Sequence, residues 1–371
     1  MRYYIIAGEA SGDLHASNLM RYLRQLDPAA SFRCWGGDRM KAQGGELVKH
    51  YRELAFMGFT EVLMNLRTIL QNIRYCKNDI LEHRPDALIL VDYPGFNMRI
   101  AEFARANGIR VFYYISPQVW AWKQSRVHKI KRTVDRMFVI LPFEKDFYRN
   151  FGYEVDFVGH PLLDAIEEKE KASFRDFTRE HGLSGKPIVA LLPGSRRQEI
   201  AVMLPVMAAL SRKFPDHQFV IAGAPSQPME FYEGFIRGSG IAVLHDKTYD
   251  LLRQASAALV TSGTATLETA LFEVPEVVCY KGGAISFLIA KQLVKVKYIS
   301  LVNLIMDREV VKELVQHDFT EHRLEQELRK LLDPENRDRM KKDLRELKLK
   351  LGNAGASART AELIHNRLIQ P

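Results

Sequence analysis

A chain of 371 residues, 47% of them apolar, is too long for one ordinary core and has enough apolar material for two. Its 53 Lys and Arg against 45 Asp and Glu give a formal net charge of +8, which favours phosphates, acidic lipid surfaces or nucleic acid without choosing among them. Three widely spaced cysteines, Cys34, Cys76 and Cys279, suggest neither a disulfide framework nor a metal cluster, and fit a reducing compartment.

The chain opens on an apolar run, residues 3–7, that leads straight into GEASGD with no signal-peptide pattern, so a cytoplasmic protein is expected. The apolar run 284–290 stops at Lys291 and Gln292, far short of the roughly 20 residues that span a bilayer. Any membrane contact is therefore expected to be peripheral. Short apolar runs at 3–7, 87–91, 111–115 and 136–140, then at 188–192, 219–222, 257–260 and 277–280, alternate with helical text. This alternation predicts an α/β fold of two Rossmann-like parallel-sheet domains, 1–164 and 165–335. After about residue 304 strands are expected to stop, leaving charged C-terminal helices over 336–371.

Three segments join the end of a predicted strand to a helix start, where free backbone N–H groups and the helix dipole favour negative charge. GEASGD (8–13) matches neither the dinucleotide fingerprint nor the P-loop. With a helix expected to begin near Asp13, Ser11, Gly12 and Asp13 read as an acceptor-side or phosphate-side loop, or simply as a tight turn. In PGSR, Gly194, Ser195 and Arg196 suit a diphosphate held by amides and one guanidinium. TSGTATLE (261–268) offers Ser262, Gly263, Thr264 and Thr266 for phosphate, with Glu268 a turn further on for ribose hydroxyls. Two anion sites in one half suggest a nucleotide diphosphate. The chain has no D-x-D pair to chelate one through a metal, so neither metal nor cofactor is expected.

GEASGD, SPQVWAW, LPFEKDFY, VGHP, LLPGSR, TSGTATLE and VNLIMDREVVKELVQ occur in this order over residues 3–335, and together they resemble the lipid-A-disaccharide synthases. The resemblance implies a GT-B glycosyltransferase with two domains facing a cleft. It implies condensation of UDP-2,3-diacylglucosamine with 2,3-diacylglucosamine 1-phosphate, with inversion, to a β-1,6-linked disaccharide and UDP. On that reading Asp92, which ends the run 87–91, takes the acceptor 6-hydroxyl proton, and Arg196, Ser195 and the amides of 263–266 stabilise the leaving UDP. Asn303 and Gln316 border the cleft with Ser11, Gly12 and Asp13. Relatives resemble D-x-P-D-F-N where this chain has Gly95, so Asp92 has to act without that second carboxylate.

Acylated substrates imply contact with the inner face of the cytoplasmic membrane. The segment 54–70 is the candidate, with Phe56, Phe59, Leu63, Leu66 and Leu70 on one helical stripe and Met57 and Met64 beside it. A basic run, 123–132, is a second candidate for acidic lipid or the acceptor phosphate, or a solvated face. The family tendency is toward homodimers, and the C-terminal helices either cross back or exchange between subunits. A UDP-sugar 2-epimerase is the rival enzyme of the same fold, disfavoured by SPQVWAW and VNLIMDREVVKELVQ. A nucleic-acid-binding module is disfavoured by dispersed charge and by the absence of its motifs.

Overall fold

The computed structural model describes residues 1–54, 65–170, 177–283 and 296–370. Phe56, Met57, Phe59, Leu63 and Met64 of the expected membrane stripe lie outside the described residues. The chain divides into two compact units, Met1–Asp164 with Asn353–Pro371, and Ala165–Gly352.

In the first unit β1 (Arg2–Ala7), β2 (Ser31–Gly36), β3 (Glu46–His50), β4 (Ala87–Val91), β5 (Arg110–Tyr114), β6 (Arg136–Val139) and β7 (Asp156–Phe157) form one sheet in the order β3-β2-β1-β4-β5-β6-β7. In the second, β8 (Ile188–Leu192), β9 (Gln218–Gly223), β10 (Ala242–His245), β11 (Ala255–Thr261), β12 (Glu276–Tyr280) and β13 (Lys312–Val315) run in the order β10-β9-β8-β11-β12-β13. All pairings are parallel. Helices cover both faces of each sheet, so central strands such as β4 and β8 are buried throughout and read as unbroken apolar runs. In each unit the order reverses between the first and fourth strands, and ligands of such folds bind at that reversal, outside the carboxyl ends.

Two expectations are corrected. Strands do not stop at residue 304: β13 pairs with β12 from Val277–Lys312 to Tyr280–Val315. As an edge strand it has only one neighbour among the described residues, and its KELV text lacks the apolar run of a central strand. The first helix begins at Ala10, not near Asp13, so Ser11, Gly12 and Asp13 lie in its first turns.

The C-terminal helices separate at Gly352. Pro334–Leu351 belongs to the second unit, whereas Ala356–Ile369 lies against the Ala10–Leu26 helix and buries Ala361 and Ile364 in the first. A polar clip holds this return. The Asp164 carboxylate accepts the N–H groups of Gly355 (2.5 Å), Ala356 (3.2 Å) and Ser357 (3.1 Å), the free donors at the helix start. Arg359 donates to the carbonyls of Val158, Asn353 and Ala354, each at 2.9 Å.

A second polar network ties β1 and β2 to the Leu66–His83 helix. Buried Asp79 accepts from Arg33 Nε (2.8 Å), Arg33 Nη2 (2.5 Å) and Tyr4 Oη (2.6 Å), and Tyr4 Oη in turn accepts from Trp35 Nε1 (2.7 Å). Burial alone would raise the Asp79 carboxyl, but the Arg33 and Tyr4 bonds outweigh it and hold it below its ordinary range. Asp79→Ala leaves the Tyr4 hydroxyl without its acceptor and the Arg33 guanidinium with Glu46 as its remaining partner, and is expected to cost about 1–3 kcal/mol in urea unfolding. A loss under about 1 kcal/mol contradicts this. Because the folded value is depressed, the contribution is complete above the unfolded carboxyl's titration near ~4 and is lost as pH falls through the folded value.

Candidate functional site

The reversal point of the first sheet brings GEASGD and Asp92 together. Register pairs Ala7 with Val91, so Gly8 and Asp92 leave neighbouring strand ends. Gly8 is required there because the Tyr93 ring lies where a Cβ would project. Asp92 and Tyr93 both take left-handed backbone, φ 45° and 49°, a conformation that costs of order 1–3 kcal/mol per non-glycine residue and concentrates at functional sites. The surroundings enforce it. The Asp92 carbonyl accepts from Tyr113 Oη (2.6 Å) and Asn97 Nδ2 (2.7 Å), its N–H donates to the Tyr114 carbonyl (3.2 Å), and Tyr93 Oη donates to the Leu54 carbonyl (3.2 Å).

With its backbone held this way, the Asp92 side chain is only partly covered at the sheet edge. Burial, then the charge of Glu9, pushes its carboxyl up to about 6, against a smaller lowering by the Tyr93 amide. Such a group is a carboxylate at neutral pH yet a far better proton acceptor than an exposed aspartate. Glu9, the N-cap position of the first helix, was not singled out from the sequence, although GEASGD contains it. It supplies the second carboxylate near Asp92 that Gly95 does not, and a Cβ at Gly95 would meet no atom within 4 Å.

The other residues of that loop divide. Ser11 is exposed in the first turn of the helix, and Gly12 is buried with a Cβ position 3.2 Å from Ala7 Cβ. Asp13 points inward and accepts the N–H groups of Gly37 (2.7 Å), Met40 (3.1 Å) and Arg39 (3.2 Å) at the start of the Asp38–Ala42 helix. Its carboxylate orders the helix start after β2 rather than presenting oxygen to solvent.

The second sheet repeats the arrangement. Leu192 pairs with Val260, so PGSR and TSGT leave neighbouring strand ends at its reversal. Gly194 has φ 112°, and a Cβ there would sit 2.9 Å from Glu199 Oε2. Ser195 and Arg196 are exposed immediately before the Arg197–Ala209 helix, and Arg196 Nη1 bonds Glu199 Oε1 at 2.8 Å. Gly263 precedes the Thr264–Leu271 helix with open space around it, and Thr264 is exposed. Ser262 Oγ donates to the Ile299 carbonyl (3.3 Å). The buried Thr266 hydroxyl donates to the Gly263 carbonyl (2.9 Å), so it shapes the turn. Glu268 is half-buried one turn in, and its charge adds to burial in raising the Tyr249 phenol.

Asn303 and Gln316 are not brought to the loops by their side chains. Asn303 is fully buried, accepts from the amides of Val310 (2.7 Å) and Val311 (3.0 Å), and donates to the Val311 carbonyl (2.8 Å) and Glu313 Oε1 (2.9 Å). Glu313 itself accepts from the amides of Ile299 and Ser300. The pair clamps 299–313 together. Gln316, at φ 55°, turns its amide to the backbone of Gly282 at 3.2 Å once O and N are set to pair with it.

Leu66 and Leu70, the described part of the expected stripe, are 45% and 53% exposed. Trp122 carries Lys123 and Arg126 over its ring at 4.9 and 4.8 Å, while Trp120 is buried edge-on against Phe143. Glu144, buried at the next helix start, accepts from the Leu141 (3.0 Å) and Ile140 (3.2 Å) amides.

The family model described as lipid-A-disaccharide synthetase matches residues 3–367. The lipid-A-disaccharide synthase of Geobacter sulfurreducens is 40% identical, covering 98% of this chain and 96% of its own, and that of Syntrophus aciditrophicus is 42% identical, covering 96% and 95%. Among solved structures, S. aureus MnaA with UDP superposes with a TM-score of 0.70 at 14% identity over 100% of this chain and 98% of its own. The calicheamicin glycosyltransferase CalG4 does so at 0.62 and 14%, with both chains fully covered. These two share the fold, and at that identity the fold is all they establish. The sequence matches carry the assignment: this chain belongs to the lipid-A-disaccharide synthase family.

Proposed function

We propose that the protein is the inverting glycosyltransferase that joins UDP-2,3-diacylglucosamine to 2,3-diacylglucosamine 1-phosphate, releasing UDP and the β-1,6-linked disaccharide 1-phosphate. Family membership over nearly the whole chain supports the reaction. The single observation that carries the mechanism is Asp92, held in left-handed backbone at the reversal of the first sheet with its carboxyl raised to about 6. The 2-epimerase reading draws only on a fold shared with solved UDP-N-acetylglucosamine 2-epimerases at 11–13% identity, and the family match does not favour it.

The proposed roles follow the geometry. Asp92 takes the proton of the attacking 6-hydroxyl, and Glu9 sustains its basicity. UDP lies across PGSR and TSGT, its diphosphate on the amides after Gly194 and Gly263 and on Arg196, its ribose against Glu268. Asp13, Thr266 and Asn303 hold the backbone around these groups. Leu66, Leu70 and the Trp122 cation cluster support a peripheral contact with an acidic membrane surface. Among the described residues no helix is long and apolar enough to cross a bilayer. A homodimer is part of the same proposal.

The direct experiment supplies both acylated glucosamine substrates in detergent, with chelator and no added metal, and looks for disaccharide and stoichiometric UDP. No product, or strict metal dependence, contradicts the reading. Asp92→Asn is expected to lower turnover at least about 100-fold while UDP affinity stays within about twofold. Residual activity above about a hundredth places the base elsewhere. In the parent, kcat/KM is expected to rise with pH through a midpoint near 6, where Asp92 loses its proton. The folded value is raised, so the charged form is disfavoured in the folded state and stability falls as pH rises through it. Asp92→Asn is therefore expected to raise Tm at pH 7.5, and a lowered Tm contradicts that. Arg196→Ala is expected to weaken UDP binding by roughly 10- to 100-fold in calorimetry. Unchanged affinity removes Arg196 from the donor site.

A further inference from the structure

Asp92, Glu9 and the donor loops leave the acceptor's phosphate unheld. The acceptor carries its 6-hydroxyl and its 1-phosphate on the two carbon arms that flank the ring oxygen. With the hydroxyl at Asp92, cations for the phosphate therefore have to stand within about one sugar ring of it.

The segment that leaves β5 meets this requirement. Val91 pairs with Tyr114, and the Asp92 N–H donates to the Tyr114 carbonyl (3.2 Å), so Asp92 and SPQVWAW exit side by side at the carboxyl edge of the first sheet. The exit is held firmly. Ile115 takes left-handed backbone, φ 65°, rare for a β-branched residue, and its N–H donates to the Phe138 carbonyl (3.0 Å). Ser116 Oγ and Tyr148 Oη share a hydrogen bond at 2.7 Å, and Gln124 Nε2 closes the far end on the Trp120 carbonyl (3.3 Å).

Positive charge on an aromatic support is what this segment presents. Residues 116–133 contain Lys123, Arg126, Lys129, Lys131 and Arg132 and no Asp or Glu. Glu102 of the Pro94–Ala106 helix matches Lys129 (2.8 Å), and Lys131 donates to the Phe151 carbonyl (3.4 Å). Lys123 and the half-buried Arg126 stand over the half-buried Trp122 ring, and neither has an ion pair or side-chain hydrogen bond among the described residues. A guanidinium resting on a ring keeps its in-plane N–H donors for a phosphate fork. Arg126 also reaches toward Asp92. Burial first, then the charges of Asp92 and Tyr148, raise the Tyr113 phenol well above its ordinary range, and the Arg126 charge is among the groups that draw it back. That hydroxyl is the one that donates to the Asp92 carbonyl at 2.6 Å.

We propose that Arg126, stacked on Trp122 and assisted by Lys123, binds the 1-phosphate of the acceptor and so sets the preference for a phosphorylated sugar. The inference rests on the reaction proposed above. A phosphate monoester carries about −1.5 to −2 charge near neutral pH, which two cations match. Anchored there, the sugar is fixed at its C1 end with the 6-hydroxyl left to Asp92.

The test measures kcat/KM in neutral detergent, free of acidic headgroups, for 2,3-diacylglucosamine 1-phosphate and for the same sugar with a free 1-hydroxyl. The parent is expected to favour the phosphorylated acceptor at least about 30-fold, and Arg126→Ala to shrink that preference at least about tenfold, through KM rather than kcat. Arg126→Lys keeps the charge without the fork and is expected to fall between the two. Use of the free-hydroxyl acceptor is expected to stay within about threefold in both variants, which shows that the first unit is folded. Equilibrium binding of the phosphorylated acceptor, with UDP saturating the donor loops, is expected to weaken in Arg126→Ala by the same factor. A parent that uses both acceptors equally, or an Arg126→Ala loss that is equal on both, overturns this proposal and leaves the reaction standing. No transfer to either acceptor by the parent overturns the reaction and the proposal with it. An unchanged preference in Arg126→Ala, with weaker binding to phosphatidylglycerol vesicles, gives the cluster to membrane headgroups and overturns the proposal.

Discussion

The arrangement rests on a constraint of parallel sheets: where strand order reverses, neighbouring strands send their chains to opposite faces, and the backbone between them loses its ladder partners. Here the reversals fall between β1 and β4 and between β8 and β11. The registers Ala7–Val91 and Leu192–Val260 bring two loop exits side by side at each point. Every group assigned to chemistry, Asp92, Glu9, Arg196 and the amides after Gly194 and Gly263, stands at one of these two exits. The two copies differ in what they do with the opening. The first fills it with a strained aspartate and a tyrosine ring over Gly8, whereas the second leaves open space at Gly263 and exposes the Ser195 and Thr264 hydroxyls.

Holding Asp92 in place is costly. Two consecutive left-handed residues, a carbonyl that needs both Tyr113 and Asn97, and a carboxyl raised by burial all oppose stability. The first unit offsets this with satisfied networks elsewhere, in Arg33–Asp79–Tyr4–Trp35 and in the Asp164 and Arg359 clip that seats the last helix. Rigid support below and strain at the edge are two sides of one design, because the left-handed turn persists only where its surroundings over-determine it.

What the sequence made legible follows from burial. Strands β4 and β8, covered on both faces, read as apolar runs with the bounds later observed, and the glycine turns after β1, β8 and β11 stood out because each needs a residue without a Cβ or a helix start. Edge strands β3 and β13 escaped notice because ELVKH and KELV carry polar residues on a half-covered edge. The bonds that polar side chains make within the fold were not legible: no local pattern shows that Asp13 accepts from Gly37 and Met40, or that Val310, Val311 and Glu313 close around Asn303. Glu9 was hidden for the same reason: its significance lies in proximity to Asp92, some 80 positions on, which no local pattern encodes.

The central claim is a division of labour, with donor nucleotide on the second unit and proton transfer on the first. Hydrogen–deuterium exchange with and without UDP alone tests it most directly. The account predicts slower exchange in 193–199 and 262–268, with 8–13 and 91–97 unchanged. Protection centred on 8–13 and 91–97, with PGSR and TSGT unaffected, would contradict it.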